Sequence, residues 1–71
     1  MMPLSIAEIN KKYTISKISG HQEIKKRLED LGIHPGANIS IVSKINQNLI
    51  INIKETRIAI DKTLSNHIFV N

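Results

Sequence analysis

Three histidines, His21, His34 and His67, are the side chains of this 71-residue chain best suited to hold a transition metal, with Asp61 or Glu55 as a neighbouring oxygen donor. Their separations match none of the short spacings of common metal sites. The chain has no cysteine, so no thiolate assists. The sequence therefore assigns no metal site, and the three histidines remain only as candidate ligands. Ser19 and Ser65 are the hydroxyls to consider for nucleophilic catalysis, but no nucleophile motif surrounds either. The six carboxylates are scattered at positions that helix caps and helix surfaces explain. Gly20, Gly32 and Gly36 do not form a phosphate-binding loop. The expectation is a non-enzyme without a cofactor.

The formal charge of +4 and the run Lys25-Lys26-Arg27 favour acidic partners. Nucleic acid is one such partner, bound with salt-dependent affinity. Single-strand binding also draws on aromatic stacking platforms, and the chain has only Tyr13 and Phe69. An aromatic groove for proline-rich peptides is disfavoured on the same ground.

The elements that position these residues can be read from periodicity. Leu4 to Ile9 reads as a short amphipathic turn, with Ser5 and Glu8 spaced as a capping box. Tyr13 to Ser19 reads as a first strand, with Ile18 out of phase and hinting at a bulge. Ser19 and Gln22 offer a second capping box at the start of a helix. Ile24, Leu28 and Leu31 form its apolar stripe at i, i+4 and i+7. Gly32 suits the left-handed stop after that helix, which brings Ile33 back onto Leu28. Pro35-Gly36 suits the centre of a type II turn.

Three strands follow. Asn38 to Ile45 carries Ile39, Ile41 and Ile45 on one face and Val42 on the other. Asn46-Gln47 is a hairpin tip. The next strand puts Leu49, Ile51 and Ile53 on one face and Ile50, Asn52 and Lys54 opposite. Glu55-Thr56 connects to Arg57–Ile60, Asp61 caps a helical turn through Asn66, and His67–Val70 closes the chain. Fifteen isoleucines supply strand-forming side chains. Five short strands with one inward face bury themselves best by curling. The expected fold is mainly β (a β-rich α+β class). It is a single domain over residues 1–71, a small SH3-like five-stranded barrel with one helix inserted after the first strand and a short helical turn before the last. Met1 to Ile9 lacks the pattern of a signal peptide, and no apolar run could span a membrane.

Arg27-Leu28, the run Leu31-Gly32-Ile33-His34-Pro35-Gly36, Arg57-Ile58-Ala59-Ile60 and Ile68-Phe69-Val70 occur in the order seen in one family. On these residues the chain resembles the FeoA family of bacterial ferrous iron uptake, from Leu4 to Val70. It departs from the family pattern in a short Ile45–Leu49 hairpin without Gly or Pro, and in Glu55, where a turn glycine is common. The resemblance implies an SH3-like, cytoplasmic accessory or regulatory protein that docks on the cytosolic GTP-binding part of the membrane iron transporter FeoB. It reaches the membrane only through that partner. The same fold ends DtxR-type metal-dependent repressors, whose helix-turn-helix domain this chain has no room for. Under this reading Lys25, Lys26, His34, Ile50, Arg57 and Phe69 are candidate partner contacts, and Leu28, Leu31, Gly32, Ile33, Pro35 and Gly36 are structural. No nucleic acid is expected. A basic nucleic-acid-binding module and a metal-binding iron chaperone are the alternatives. Ile-rich edge strands offer a route to homo-oligomers.

Overall fold

Alternating isoleucines drive the central meander. In the computed structural model, which describes residues 1–71, Asn38–Ile45 (β3), Asn48–Ile53 (β4) and Thr56–Ile60 (β5) run antiparallel. Tyr13–Ile18 (β2) joins β3 through Tyr13 and Thr14, then crosses to Ile68–Val70 (β6) through Ile15 to Ile18. Met2–Pro3 (β1) adds a sixth, two-residue strand beside β6. The sheet order is β1-β6-β2-β3-β4-β5, antiparallel throughout. The barrel expected with five strands thus gains a short N-terminal one. The helix Gln22–Asp30 (α1) lies between β2 and β3, and Lys62–Ser65 (α2) lies between β5 and β6.

Two bulges curl this sheet. Ser16 is the extra residue where β2 meets β6, and Val42 is the extra one where β3 meets β4. The second reverses the facing of β3. Ile39 and Ile41 are buried, but Ile45, expected on the same face, is 56% exposed at the hairpin tip. A one-residue insertion moves every later side chain to the other face. The core gathers Ile15, Ile39, Ile41, Ile51, Ile53, Ile60, Ile68 and Val70 from the sheet, with Leu28, Ile33, Leu4 and Leu64 over its open sides.

Two of the three expected caps are not made. The 3₁₀ turn Leu4–Ile6 starts from Pro3 with no side-chain cap, so Ser5 and Glu8 form no capping box. Helix α1 starts at His21, again without a side-chain cap. Gly20, at φ +98°, swings the chain past Ser19, whose backbone N–H instead extends the β2–β6 ladder to the His67 carbonyl at 2.8 Å. Asp61 does cap α2, accepting from the Leu64 N–H at 2.9 Å.

The end of α1 follows the Schellman pattern. The Gly32 N–H donates to the Glu29 carbonyl and the Ile33 N–H to the Leu28 carbonyl, both at 2.9 Å, with Gly32 at φ +87°. Leu28 and Ile33 are both buried. Leu31, expected on the apolar stripe, occupies the cap position and is exposed, because the chain turns before its face reaches the sheet.

The β4–β5 connection is Lys54-Glu55, not Glu55-Thr56, since Thr56 already pairs with Ile53. Both turn residues have positive φ, at 49° and 63°, as a type I′ turn demands. Neither is the glycine or asparagine that adopts this conformation without strain. We expect Glu55→Gly to raise stability by about 0.5–1 kcal/mol, after allowing for the extra chain entropy of glycine, as an upward shift of the thermal midpoint. Leu28→Ala, which opens a cavity beneath the helix, should cost about 2–5 kcal/mol and is checked by urea denaturation.

Candidate functional site

The Leu-Gly-Ile-His-Pro-Gly run does more than end a helix. Past Ile33, residues His34 to Ala37 form the Pro-Gly turn, closed by the Ala37 N–H on the His34 carbonyl at 3.1 Å, with Gly36 at φ +92°. Ile15 of β2 holds the turn in place. Its carbonyl accepts from the Gly36 N–H at 2.8 Å and its N–H donates to the Ala37 carbonyl at 2.9 Å. A cleft of about 160 Å³ remains between this turn and α1. Ile18, Ile33 and Pro35 give it apolar walls, and Lys25, Glu29 and His34 give it a charged and polar rim.

His34 is fixed at this rim. Its Nδ1 lies 3.0 Å from the Pro35 carbonyl oxygen, which only accepts, so Nδ1 carries the hydrogen. Nε2 then accepts from the Lys54 ammonium at 2.9 Å. The aliphatic stem of Lys54 crosses Gly32 closely enough that a Cβ there would stand 3.4 Å from its Cδ. Lys54 thus joins Lys25 as a second ammonium beside the cleft. Sequence reading missed it, because only folding brings the tip of the β4–β5 hairpin over the Leu-Gly corner. A cleft with apolar walls, two ammonium groups and one carboxylate suits an acidic side chain flanked by apolar ones.

The other candidates lie elsewhere. Lys26 is exposed on α1. Ile50 and Arg57 sit on the outer face of β4 and β5, where the Arg57 Nε donates to the Asn52 Oδ1 at 3.3 Å. Phe69 is on the outer face of β6, with the Lys17 ammonium 5.9 Å above its ring. Tyr13 is buried, and its hydroxyl oxygen accepts from the Glu8 N–H at 3.0 Å. Its ring is therefore not available as a stacking platform for bases.

The three histidines do not gather. His21 is the N-cap residue of α1, His34 lines the cleft, and the His67 Nδ1 lies 3.1 Å from the Ser19 Oγ. No group of three or more histidines and carboxylates forms around any of them. The Ser19–His67 contact is the one serine–histidine pair the fold creates, and no carboxylate orients the imidazole. Ser65 is buried and donates to the Lys62 carbonyl at 3.1 Å.

A curled antiparallel sheet, a helix inserted after its first long strand and a cleft at the helix exit define a small SH3-like domain. The family model described as the FeoA domain matches residues 2–71, and the chain belongs to the FeoA family. Solved structures agree. A crystal structure of an iron uptake regulatory protein, FeoA, is 28% identical, with a TM-score of 0.90 over 99% of this chain and 93% of that one. The FeoA of Stenotrophomonas maltophilia is 23% identical, with a TM-score of 0.82 over 100% of this chain and 91% of that one. That protein was solved in complex with zinc, described as a prokaryotic SH3 domain protein and suggested as a ferrous iron transport activating factor. A manganese-dependent transcriptional repressor shares the fold at 13% identity, with a TM-score of 0.85, over 96% of this chain and 39% of that one. No curated protein sequence matches this chain. No helix is long and apolar enough to cross a membrane.

Gly32→Ala tests how far the corner governs the site. The left-handed φ is strained for alanine, while the added methyl meets the Lys54 stem only at ordinary contact distance. A loss of about 1–2 kcal/mol is expected. The His34 ring resonances should shift with it in NMR spectra, because relief of the strained φ at Gly32 moves the corner that carries His34.

Proposed function

We propose that this FeoA-family chain is an accessory protein of bacterial ferrous iron uptake that docks on the cytosolic GTP-binding part of a FeoB-type transporter. The cleft between α1 and the Pro-Gly turn is the centre of the contact. The observation that carries this reading is the join of family and geometry. The FeoA domain spans residues 2–71, and within it Ile33, His34 and Pro35 of the Leu31–Gly36 run build a cleft where apolar walls meet Lys25, His34 and, through His34, Lys54. A catalyst would need an oriented acid or base in such a place, and His34 spends both ring nitrogens on the turn carbonyl and Lys54. A docking module needs only a rigid surface of fitting shape and charge.

The exposed ammonium groups of Lys25 and Lys26 steer the acidic partner, while Ile18 and Pro35 supply the apolar seat over the buried Ile33. The transporter's GTP chemistry stays with the transporter. The accessory acts by stabilising whichever state of that domain it binds best.

Lys25→Glu combined with Lys26→Glu should weaken binding to the purified cytosolic domain of the transporter by about tenfold or more. Thermal unfolding should barely change, since both side chains are exposed. The wild-type affinity should also fall as salt rises. Unchanged binding in the double variant would remove this face as the interface.

A further inference from the structure

The two ends of the sheet are unlike. The β1 end has two residues, one of them Pro3, which has no N–H to offer. The β5 end is a five-residue strand, and its register with β4 runs from Leu49–Ile60 to Ile53–Thr56 without a bulge. It carries no bulge and no proline, and its one charged side chain is Arg57.

The backbone direction at this edge follows from the turn. Ile53 and Thr56 flank a two-residue turn and so form a hydrogen-bonded pair, as do Ile51–Ile58 and Leu49–Ile60. Arg57 and Ala59 therefore direct their N–H and C=O groups away from β4. No backbone hydrogen bond outside the helices and strands uses either residue. Both side chains are exposed, on the outer face, while Ile58 is half-buried on the inner one.

We propose that β5 pairs antiparallel with β5 of a second copy, about a two-fold axis at Ile58. In this register Arg57 faces Ala59 of the other copy, and Ala59 faces its Arg57. These are the two residues with free backbone groups, so four hydrogen bonds form. Ile58 meets Ile58 as the close, non-hydrogen-bonded pair at the centre. The side-chain charges also fit. Asp61 follows the strand in an extended conformation (φ −84°, ψ 174°), exposed and in phase with Arg57 and Ala59; its Oδ1 caps α2, which leaves Oδ2 for an arginine. Across the axis each Arg57 has the other copy's Asp61 as a diagonal neighbour, about 7–8 Å away and within an arginine's reach. The two arginines are diagonal to each other rather than opposed, and the row holds two positive and two negative charges. A strand pair this short buries less than the roughly 1,000 Å² of a standing interface, so the dimer is weak and concentration-dependent. It leaves the α1 cleft open, because none of the cleft residues lies on β5.

The test is sedimentation of the full chain from micromolar to millimolar concentration, with amide NMR on the same dilution series. The mass average should rise from 8.0 kDa towards twice that value. The amides of Arg57 and Ala59 should shift most. Ala59→Lys places a lysine opposite the partner copy's arginine twice, at an exposed position, and should weaken association about tenfold. Ala59→Pro deletes two of the four intermolecular bonds while sparing the ladder to β4, and should abolish association. A protein that stays monomeric throughout, shifts centred on other residues, or an Ala59→Lys variant that associates as the wild type does would each overturn the proposal.

Discussion

The left-handed turn of the backbone at Gly32 is the constraint on which the rest of this structure depends. It lets the Leu28 carbonyl accept from Ile33, so that two large side chains, one on the helix and one past its end, enter the core together. A residue with a Cβ would hold that φ only under strain. Ile33 is pinned, the next four residues turn, and Ile15 takes the turn by both of its backbone groups. Helix, corner and first long strand are thereby locked into one unit. The cleft is the space this unit leaves between helix and turn, so its shape is set by backbone hydrogen bonds rather than by mobile side chains.

Much of this corner was legible in the sequence, because glycine and proline speak about backbone angles directly. The stop at Gly32, the Pro35-Gly36 turn, the Asp61 cap and the limits of β3 each follow from one residue type with one conformational preference. What was not legible depends on contacts between distant segments. Ser19 carries a good capping side chain, yet the tertiary ladder to His67 claims its backbone and Gly20 carries the chain past it. Ile45 keeps the alternation of Ile39 and Ile41 on paper, but the extra residue at Val42 reverses it in space. Leu31 fits the helical stripe, yet the helix stops first. Of the cleft, Lys25 and His34 could be named from charge and motif. Lys54 could not, since nothing local relates a hairpin tip to a helix exit.

The bulges explain why so small a chain can enclose a core. A regular sheet of this size would leave one wide face of isoleucine in water. Extra residues at Ser16 and Val42 sharpen the local twist where β2 meets β6 and where β3 meets β4, and the sheet wraps round Ile15, Ile41 and Ile51 instead. The same extra residues interrupt those ladders. The β4–β5 ladder has no bulge and is the most regular pairing in the molecule, and it ends at an open edge. Curling the middle of the sheet and leaving its last strand straight are two sides of one arrangement.

The Lys54-Glu55 turn shows how fold and site share a cost. Two non-glycine residues hold positive φ there, where a glycine would be free of strain. The tight turn nevertheless aims Lys54 back across Gly32, where its ammonium meets the His34 imidazole. A longer and more relaxed loop would let that ammonium wander in solvent. Strain of the order of 1–2 kcal/mol per residue is tolerable in a hairpin whose strands are held by buried isoleucines on both sides, Ile51 and Ile53 in β4 and Ile60 in β5. The rim of the cleft thus draws its order from the core of the sheet. A partner that reads Lys25, His34 and Lys54 together reads whether this sheet, this helix and this corner are correctly assembled.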